Sequence, residues 1–193
     1  MEDLGRAYIV NEMFLSLQGE GFWTGTPMVF LRFSLCNLRC PFCDTDFKTG
    51  IPMTLEEIIR KVKDLSRGCG RVCLTGGEPS LQTDSFLVDA LHKEGFALHM
   101  ETNGTRHIPS GIDWVTLSPK TDWAPEAEVV LERCDELKLV YTGQDISRWE
   151  AFPADNFFLQ PCSCSNTKET IEAVLSRPLW RLSLQTHKYL DIK

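Results

Sequence analysis

No apolar run in the chain approaches the ~20 residues that a membrane-spanning helix needs, so no membrane association is predicted. Basic residues are outnumbered: 20 Lys and Arg against 27 Asp and Glu leave a formal charge of −7. That balance argues against a general nucleic-acid or membrane-surface binder, which needs a basic face. The opening Met1-Glu2-Asp3 is acidic and does not read as a secretory signal. Repeats, low-complexity tracts and a dividing linker are also absent. The 193 residues are therefore expected to form a single domain, 1–193, with a substantial core. Cysteine, by contrast, is plentiful. Eight cysteines without a secretory signal point to reduced thiols in the cytoplasm, which favours metal or redox chemistry over a disulfide framework.

Three of them lie in one run, Cys36-Asn-Leu-Arg-Cys40-Pro-Phe-Cys43, followed by Asp44 and Thr45. A cubane iron–sulfur cluster is normally closed by four cysteines. Three thiolates from one loop leave an iron with an open position, as catalytic metal sites do. The extended loop would spread the outer sulfurs by over ~20 Å, so it must curl around a shared group. Asn37 and Pro41 suit such a turn. Spacing alone leaves two further readings: a zinc site completed by a distant ligand, or a plain electron-transfer cluster. Of the remaining cysteines, Cys73 reads as a core residue, and Cys162 and Cys164 as free thiols in a loop.

Apolar β-prone runs alternate with amphipathic stretches. Strands are expected at 28–35, 71–75, 97–101, 114–117, 136–141, 157–160 and 181–185. Helices are expected at 54–65, with a Thr54/Glu57 capping box, and at 84–94, with Thr83 as cap and Gly95 just past the end. Shorter helical stretches are expected near 127–133, 146–151 and 168–176, the last capped by Asn166. This alternation implies an α/β fold of parallel β/α units. A full eight-unit barrel needs about 250 residues. An incomplete parallel β/α barrel of about six units therefore fits this chain better, with its chemistry at the carboxyl ends of the strands. Thr75-Gly76-Gly77-Glu78-Pro79 stands at one such end. There the glycines would let a ligand approach the backbone, and Glu78 could accept from an ammonium group.

Together the cysteine run and the Gly-Gly-Glu-Pro segment resemble the radical S-adenosylmethionine enzymes. The resemblance implies a [4Fe-4S] cluster on Cys36, Cys40 and Cys43 and S-adenosylmethionine on the fourth iron. The cofactor's methionine amine would lie by Gly76, Gly77 and Glu78, with Phe42, Cys43 and Asp44 also touching the cofactor. Three further segments, Leu17-Gln18-Gly19-Glu20-Gly21, Arg32 before the cysteines, and Gln185-Thr186-His187-Lys188-Tyr189-Leu190, are similar to the 7-carboxy-7-deazaguanine synthase family of queuosine and 7-deazapurine biosynthesis.

That likeness covers nearly the whole chain and implies ring contraction of 6-carboxy-5,6,7,8-tetrahydropterin with loss of ammonia. Leu17, Gln18, Gly19, Glu20, Arg32, Thr75, Asn103, His187 and Lys193 would contact substrate, with Arg32 pairing to its carboxylate. Thr45 would supply an oxygen to a Mg²⁺ ion. Glu101, Ser118, Pro119, Lys120 and Gln160 would complete the cofactor site. The resemblance also implies a flavodoxin- or ferredoxin-type reductant and a homodimer. The competing readings are a glycyl-radical activase and a non-catalytic iron–sulfur or zinc protein.

Overall fold

A computed structural model describes residues 6–43, 46–124 and 126–193. Nine strands form one sheet in the order β3-β1-β2-β4-β5-β6-β7-β8-β9. They are β1 (Ala7–Leu17), β2 (Pro27–Phe33), β3 (Ile51–Thr54), β4 (Arg71–Gly76), β5 (Ala97–Thr102), β6 (Trp114–Leu117), β7 (Cys134–Tyr141), β8 (Ala154–Pro161) and β9 (Arg181–Leu182). From β2 onward every neighbouring pair is parallel and in chain order. That is the wall of an open β/α barrel rather than a doubly wound sheet. β1 and β3 extend its first edge in antiparallel sense.

Side-chain alternation along the strands divides the wall into two faces. Val29, Leu31 and Phe33 of β2, Val72 and Leu74 of β4, and Leu98 and Met100 of β5 share one core with Ile58 and Val62 of α1 (Leu55–Ser66) and with Leu87, Val88 and Leu91 of α2 (Ser85–Lys93). Each such fully buried side chain stabilises the fold by about 1.5–3 kcal/mol. Leu137, Leu139, Phe157 and Leu159 build a second core, against which Ala173 and Val174 of α3 (Thr167–Ser176) pack. The intervening positions, Met28, Phe30, Cys73, Glu136 and Lys138 among them, are left for the barrel interior.

α1 begins as expected, with Thr54 and Glu57 in a reciprocal capping box. α2 differs at its start. Asp84 is the N-cap, accepting from Leu87 N–H at 3.0 Å, while the Thr83 hydroxyl donates to the Pro79 carbonyl. Residues 127–133 form neither helix nor strand. There Ala127 is buried and Val129 and Leu131 half-buried, with exposed Glu128, Val130 and Glu132 between them. That is a period of two, and it outweighs helix propensity. The expected helix at 146–151 shrinks to one 3₁₀ turn, Ser147–Trp149. Asn166 stands at the N-cap of α3, as expected, but its side chain makes no capping bond. Its side chain instead joins two strand ends, accepting from Cys162 N–H and donating to the Tyr141 carbonyl.

Two strands and a helix are additions to the sequence reading: β1, β3 and α4 (Thr186–Leu190). β2 stops at Phe33, because Leu35 turns into a left-handed conformation, φ 73°, on entry to the cysteine loop. β9 is only two residues long, after which the chain leaves the sheet. It then crosses the open side of the barrel. The Gly19 carbonyl accepts both the Thr186 N–H and its hydroxyl, each at 2.9 Å, and the Ser16 hydroxyl donates to the Lys193 carbonyl. The gap between β9 and β1 is thus spanned by residues 185–193 against the 18–22 turn. Among the described residues no helix is long and apolar enough to cross a membrane.

Candidate active site

A cavity of about 290 Å³ opens at the carboxyl ends of the parallel strands. The cysteine loop forms one side. Leu35 N–H is tied to the Phe47 carbonyl, Cys43 N–H closes a turn on the Cys40 carbonyl at 3.2 Å, and Cys36 Sγ accepts Leu38 N–H at 3.4 Å. Leu38 is buried with Ala124 and Ala127, which anchors the middle of the loop. Phe42 meets Trp123 edge to face, with ring centroids 4.7 Å apart. None of the three is in a disulfide, and all line the cavity. Burial pushes the Cys36 and Cys40 thiols up, and neighbouring thiolates add to this in both, while Lys120 pulls Cys40 back down. Among the described residues the three are not gathered as ligands of one metal ion, but three cysteines bordering one cavity fit an iron–sulfur cluster, which takes one thiolate on each of several irons.

Gly76 and Gly77 line the cavity and have a packing role as well. A Cβ on Gly76 would stand 2.1 Å from the Phe33 carbonyl oxygen, and one on Gly77 would stand 1.9 Å from that of Leu35. Gly77 and Glu78 donate their N–H groups to those same two carbonyls. The glycines therefore admit the backbone of the cysteine loop itself. Glu78 is fully buried. Its Oε1 takes Thr102 Oγ1 and Ser80 N–H, and its Oε2 takes Asn103 N–H at 2.7 Å. Asn103 Nδ2 reaches Asn37 Oδ1, and Asn37 Nδ2 reaches Thr105, so the end of β5 is stitched to the cysteine loop.

The opposite side is ionic. Lys138, almost fully buried on β7, donates to Glu20 at 2.6 Å and to Glu101 at 3.1 Å. Gln18 Nε2 completes the row on Glu101, and Gln185 Nε2 on Glu20. Burial pushes the Glu20 carboxyl up, but the Lys138 ammonium and the Gln185 amide outweigh it and hold it at about 2. For Lys138, burial acts downward, and the carboxylates of Glu101, Glu20 and Glu136 overcome it and raise it. Gln185 Oε1 is buried and has no partner among the described residues. The His187 ring packs on Gly19, where a Cβ would sit 2.2 Å from Nδ1.

Near β1, Glu12 accepts Arg32 Nε at 3.0 Å and Lys193 Nζ at 2.8 Å, so one carboxylate fixes both cations. A break in register between Val10 and Glu12 puts Glu12 directly across from Arg32. Among the described residues Arg32 has no partner for its two terminal nitrogens. Lys120 folds back to the Ser118 carbonyl and hydroxyl, and burial lowers its pKa.

The cavity thus gathers Leu17, Gln18, Gly19, Glu20, Arg32, Cys36, Cys40, Phe42, Cys43, Thr75, Gly76, Gly77, Glu78, Glu101, Asn103, Ser118, Lys120, Gln160, His187 and Lys193. Pro119 is buried beside the wall without lining it. Asp44 and Thr45 lie outside the described residues. Lys138, Gln185 and Glu12 are the residues that sequence reading missed. Lys138 carried a signal, as the one charge inside Leu137-Lys-Leu-Val140.

The Radical SAM superfamily profile matches residues 31–136, which hold both the cysteine loop and the Gly-Gly-Glu-Pro segment. A 7-carboxy-7-deazaguanine synthase of Bacteroides thetaiotaomicron is 55% identical over 184 residues, spanning 95% of this chain and 98% of that protein. The chain belongs to the 7-carboxy-7-deazaguanine synthase family. The family's enzyme from Bradyrhizobium diazoefficiens is 42% identical over 97% of this chain and all of its own length (100%). The crystal structure of QueE from Escherichia coli superposes with a TM-score of 0.80 at 31% identity, covering 94% of this chain and 95% of that one. Membership in this radical SAM family brings a [4Fe-4S] cluster and S-adenosylmethionine as cofactors.

Proposed function

We propose that the protein contracts the ring of 6-carboxy-5,6,7,8-tetrahydropterin to 7-carboxy-7-deazaguanine, with loss of ammonia. The observation that carries this reading is the shared cavity: three cluster-type cysteines face it together with the Gln18–Glu20 turn and the Gln185–Lys193 segment. When bound, the reduced cluster and S-adenosylmethionine supply a carbon radical able to take hydrogen from C6 of the pterin.

The chain's own residues hold and shield the reactants. Cys36, Cys40 and Cys43 would hold the cluster, and as three ligands rather than four they would leave it open to the amine and carboxylate of S-adenosylmethionine. Glu78 Oε2, which receives one donor, keeps acceptor capacity for that amine. Phe42, Ser118, Lys120 and Gln160, which line the cavity, would border the rest of the cofactor. The free terminal nitrogens of Arg32 form the two-pronged donor that a substrate carboxylate requires, and Glu12 holds them in place. The unpaired Gln185 Oε1 is an acceptor for a ring N–H of the pterin, beside Gln18, Glu20 and Glu101. Thr75, Asn103, His187 and Lys193 close the substrate wall. Thr45 would be the residue to offer a hydroxyl oxygen to Mg²⁺. A flavodoxin- or ferredoxin-type protein provides the electron, and the protein acts as a homodimer in the cytoplasm.

Anaerobic turnover of pterin deuterated at C6 tests the reading. Deuterium is expected in the 5′ position of the cofactor and again in the product, and chelation of Mg²⁺ is expected to slow turnover. Formation of 7-carboxy-7-deazaguanine with no label in the cofactor overturns the abstraction site. No 7-deazapurine at all overturns the function.

A further inference from the structure

Glu136 precedes Lys138 by two residues on β7 and faces the same interior, yet it does not line the cavity. Its carboxylate lies flat against Gly21, where a Cβ would fall 1.9 Å from Oε1. Glu136 Oε2 accepts the Phe22 N–H at 3.1 Å. Gly21 is left-handed, φ +66°, and its N–H is fixed by Ser183 Oγ at 2.9 Å, just past β9. A side chain of the barrel wall thus supports, from behind, the turn that carries Gln18, Gly19 and Glu20 into the cavity.

The charged groups around it are few. Lys138 stands on the same strand, Glu101 comes from β5 and Glu20 from the turn itself. Arg181 of β9 spreads its guanidinium over the Phe22 ring, 5.8 Å from the centroid. Lys138 spends its hydrogen bonds on Glu20 and Glu101, not on Glu136. Three carboxylates therefore share one buried ammonium, and Glu136 is the one without a direct ionic partner among the described residues.

We propose that Glu136 is a positioning residue for substrate: its carboxylate props the Gln18–Phe22 turn, and loss of its negative charge loosens that turn and weakens pterin binding. This rests on the reading of the turn as part of the pterin wall. Burial pushes the Glu136 carboxyl up to about 7; Glu101 and Glu20 add to the rise, against Lys138 and the Phe22 N–H. Above that pH the charged carboxylate makes the stronger, charge-assisted bond to Phe22 N–H. Below it the proton removes that advantage, so substrate affinity falls with acidity.

The test compares wild type, Glu136→Gln and Glu136→Asp, each holding the same iron content. Wild-type KM for the pterin is expected to rise several-fold from about pH 8 to about pH 6. Glu136→Gln is expected to show a KM raised ~5-fold at about pH 8 and flat with pH, the worth of one charge-assisted hydrogen bond, with kcat within about twofold. Glu136→Asp keeps the charge and is expected to retain a pH-dependent KM. Amide exchange of Phe22 in the purified proteins supplies a readout independent of turnover, and Glu136→Gln is expected to accelerate it. Unchanged exchange overturns the propping role. Faster exchange with wild-type KM overturns the link to substrate. If wild type makes no 7-deazapurine, the function reading fails, while the exchange comparison still decides whether Glu136 holds the turn.

Discussion

Lys138→Met is expected to destabilise the fold by about 3–5 kcal/mol at about pH 8, the cost of removing one partner from a buried ion pair. The methionine fills the same space, so the loss is one of charge. In wild type the ammonium sits between Glu20, from the turn after β1, and Glu101 of β5. Without it, two carboxylates and the neighbouring Glu136 face one another with no cation between them. The pH dependence separates this from a packing defect. The folded-state pKa of Glu20 is depressed to about 2. Its contribution is therefore present above the ordinary carboxyl value and disappears as pH falls through about 2. In Lys138→Met the carboxylates take up protons instead, so the deficit against wild type is expected to shrink toward about pH 5. Urea denaturation at the two pH values measures it. A deficit under about 1 kcal/mol at the higher pH, or one that does not change with pH, contradicts the ionic account.

The second large effect is expected at Gly77. Alanine there drives a methyl group into the Leu35 carbonyl oxygen, 1.9 Å away, and to 3.0 Å from the Cys36 nitrogen. Those atoms are backbone, so no side chain can swing aside. Relief requires the base of the cysteine loop to move away from β4, breaking the Glu78 N–H bond to Leu35. The cost is expected near about 3 kcal/mol, the upper end for overpacking. Because it falls on the residue next to Cys36, cluster retention is expected to suffer more than the fold. Iron content and visible absorption of anaerobically reconstituted Gly77→Ala, set beside its circular dichroism, separate the two. A variant that loads iron like wild type shows the contact to be compliant.

Much of the site was legible in the sequence because its chemistry is written in local spacing. Cys36, Cys40 and Cys43 are close in sequence and need only a turn to meet. Thr75 to Glu78 follows directly from a strand. The parallel wall was legible because buried strands such as 71–75 and 136–141 read as apolar runs bounded by turn residues. The Lys138 row was not, since its meaning depends on Glu20 and Glu101, which are 118 and 37 residues away in the chain. No periodicity encodes such a meeting. β3 escaped because Pro52 lowers strand propensity and is tolerated at a sheet edge. α4, five residues long, is too short to display a helical repeat. The glycine pair was recognised as a close approach, but what approaches is the chain's own backbone, which only the β2–β4 register reveals.

Residues 185–193 press on the turn at 18–22. The two walls of the cavity thus mature at different moments of synthesis. The thiol-bearing side, including Trp123, Ala124 and Ala127 that anchor its loop, is translated by position 127, whereas its counterpart waits for α4 to emerge. A nascent polypeptide can therefore expose its three thiols to iron delivery long before it has anywhere to put a pterin.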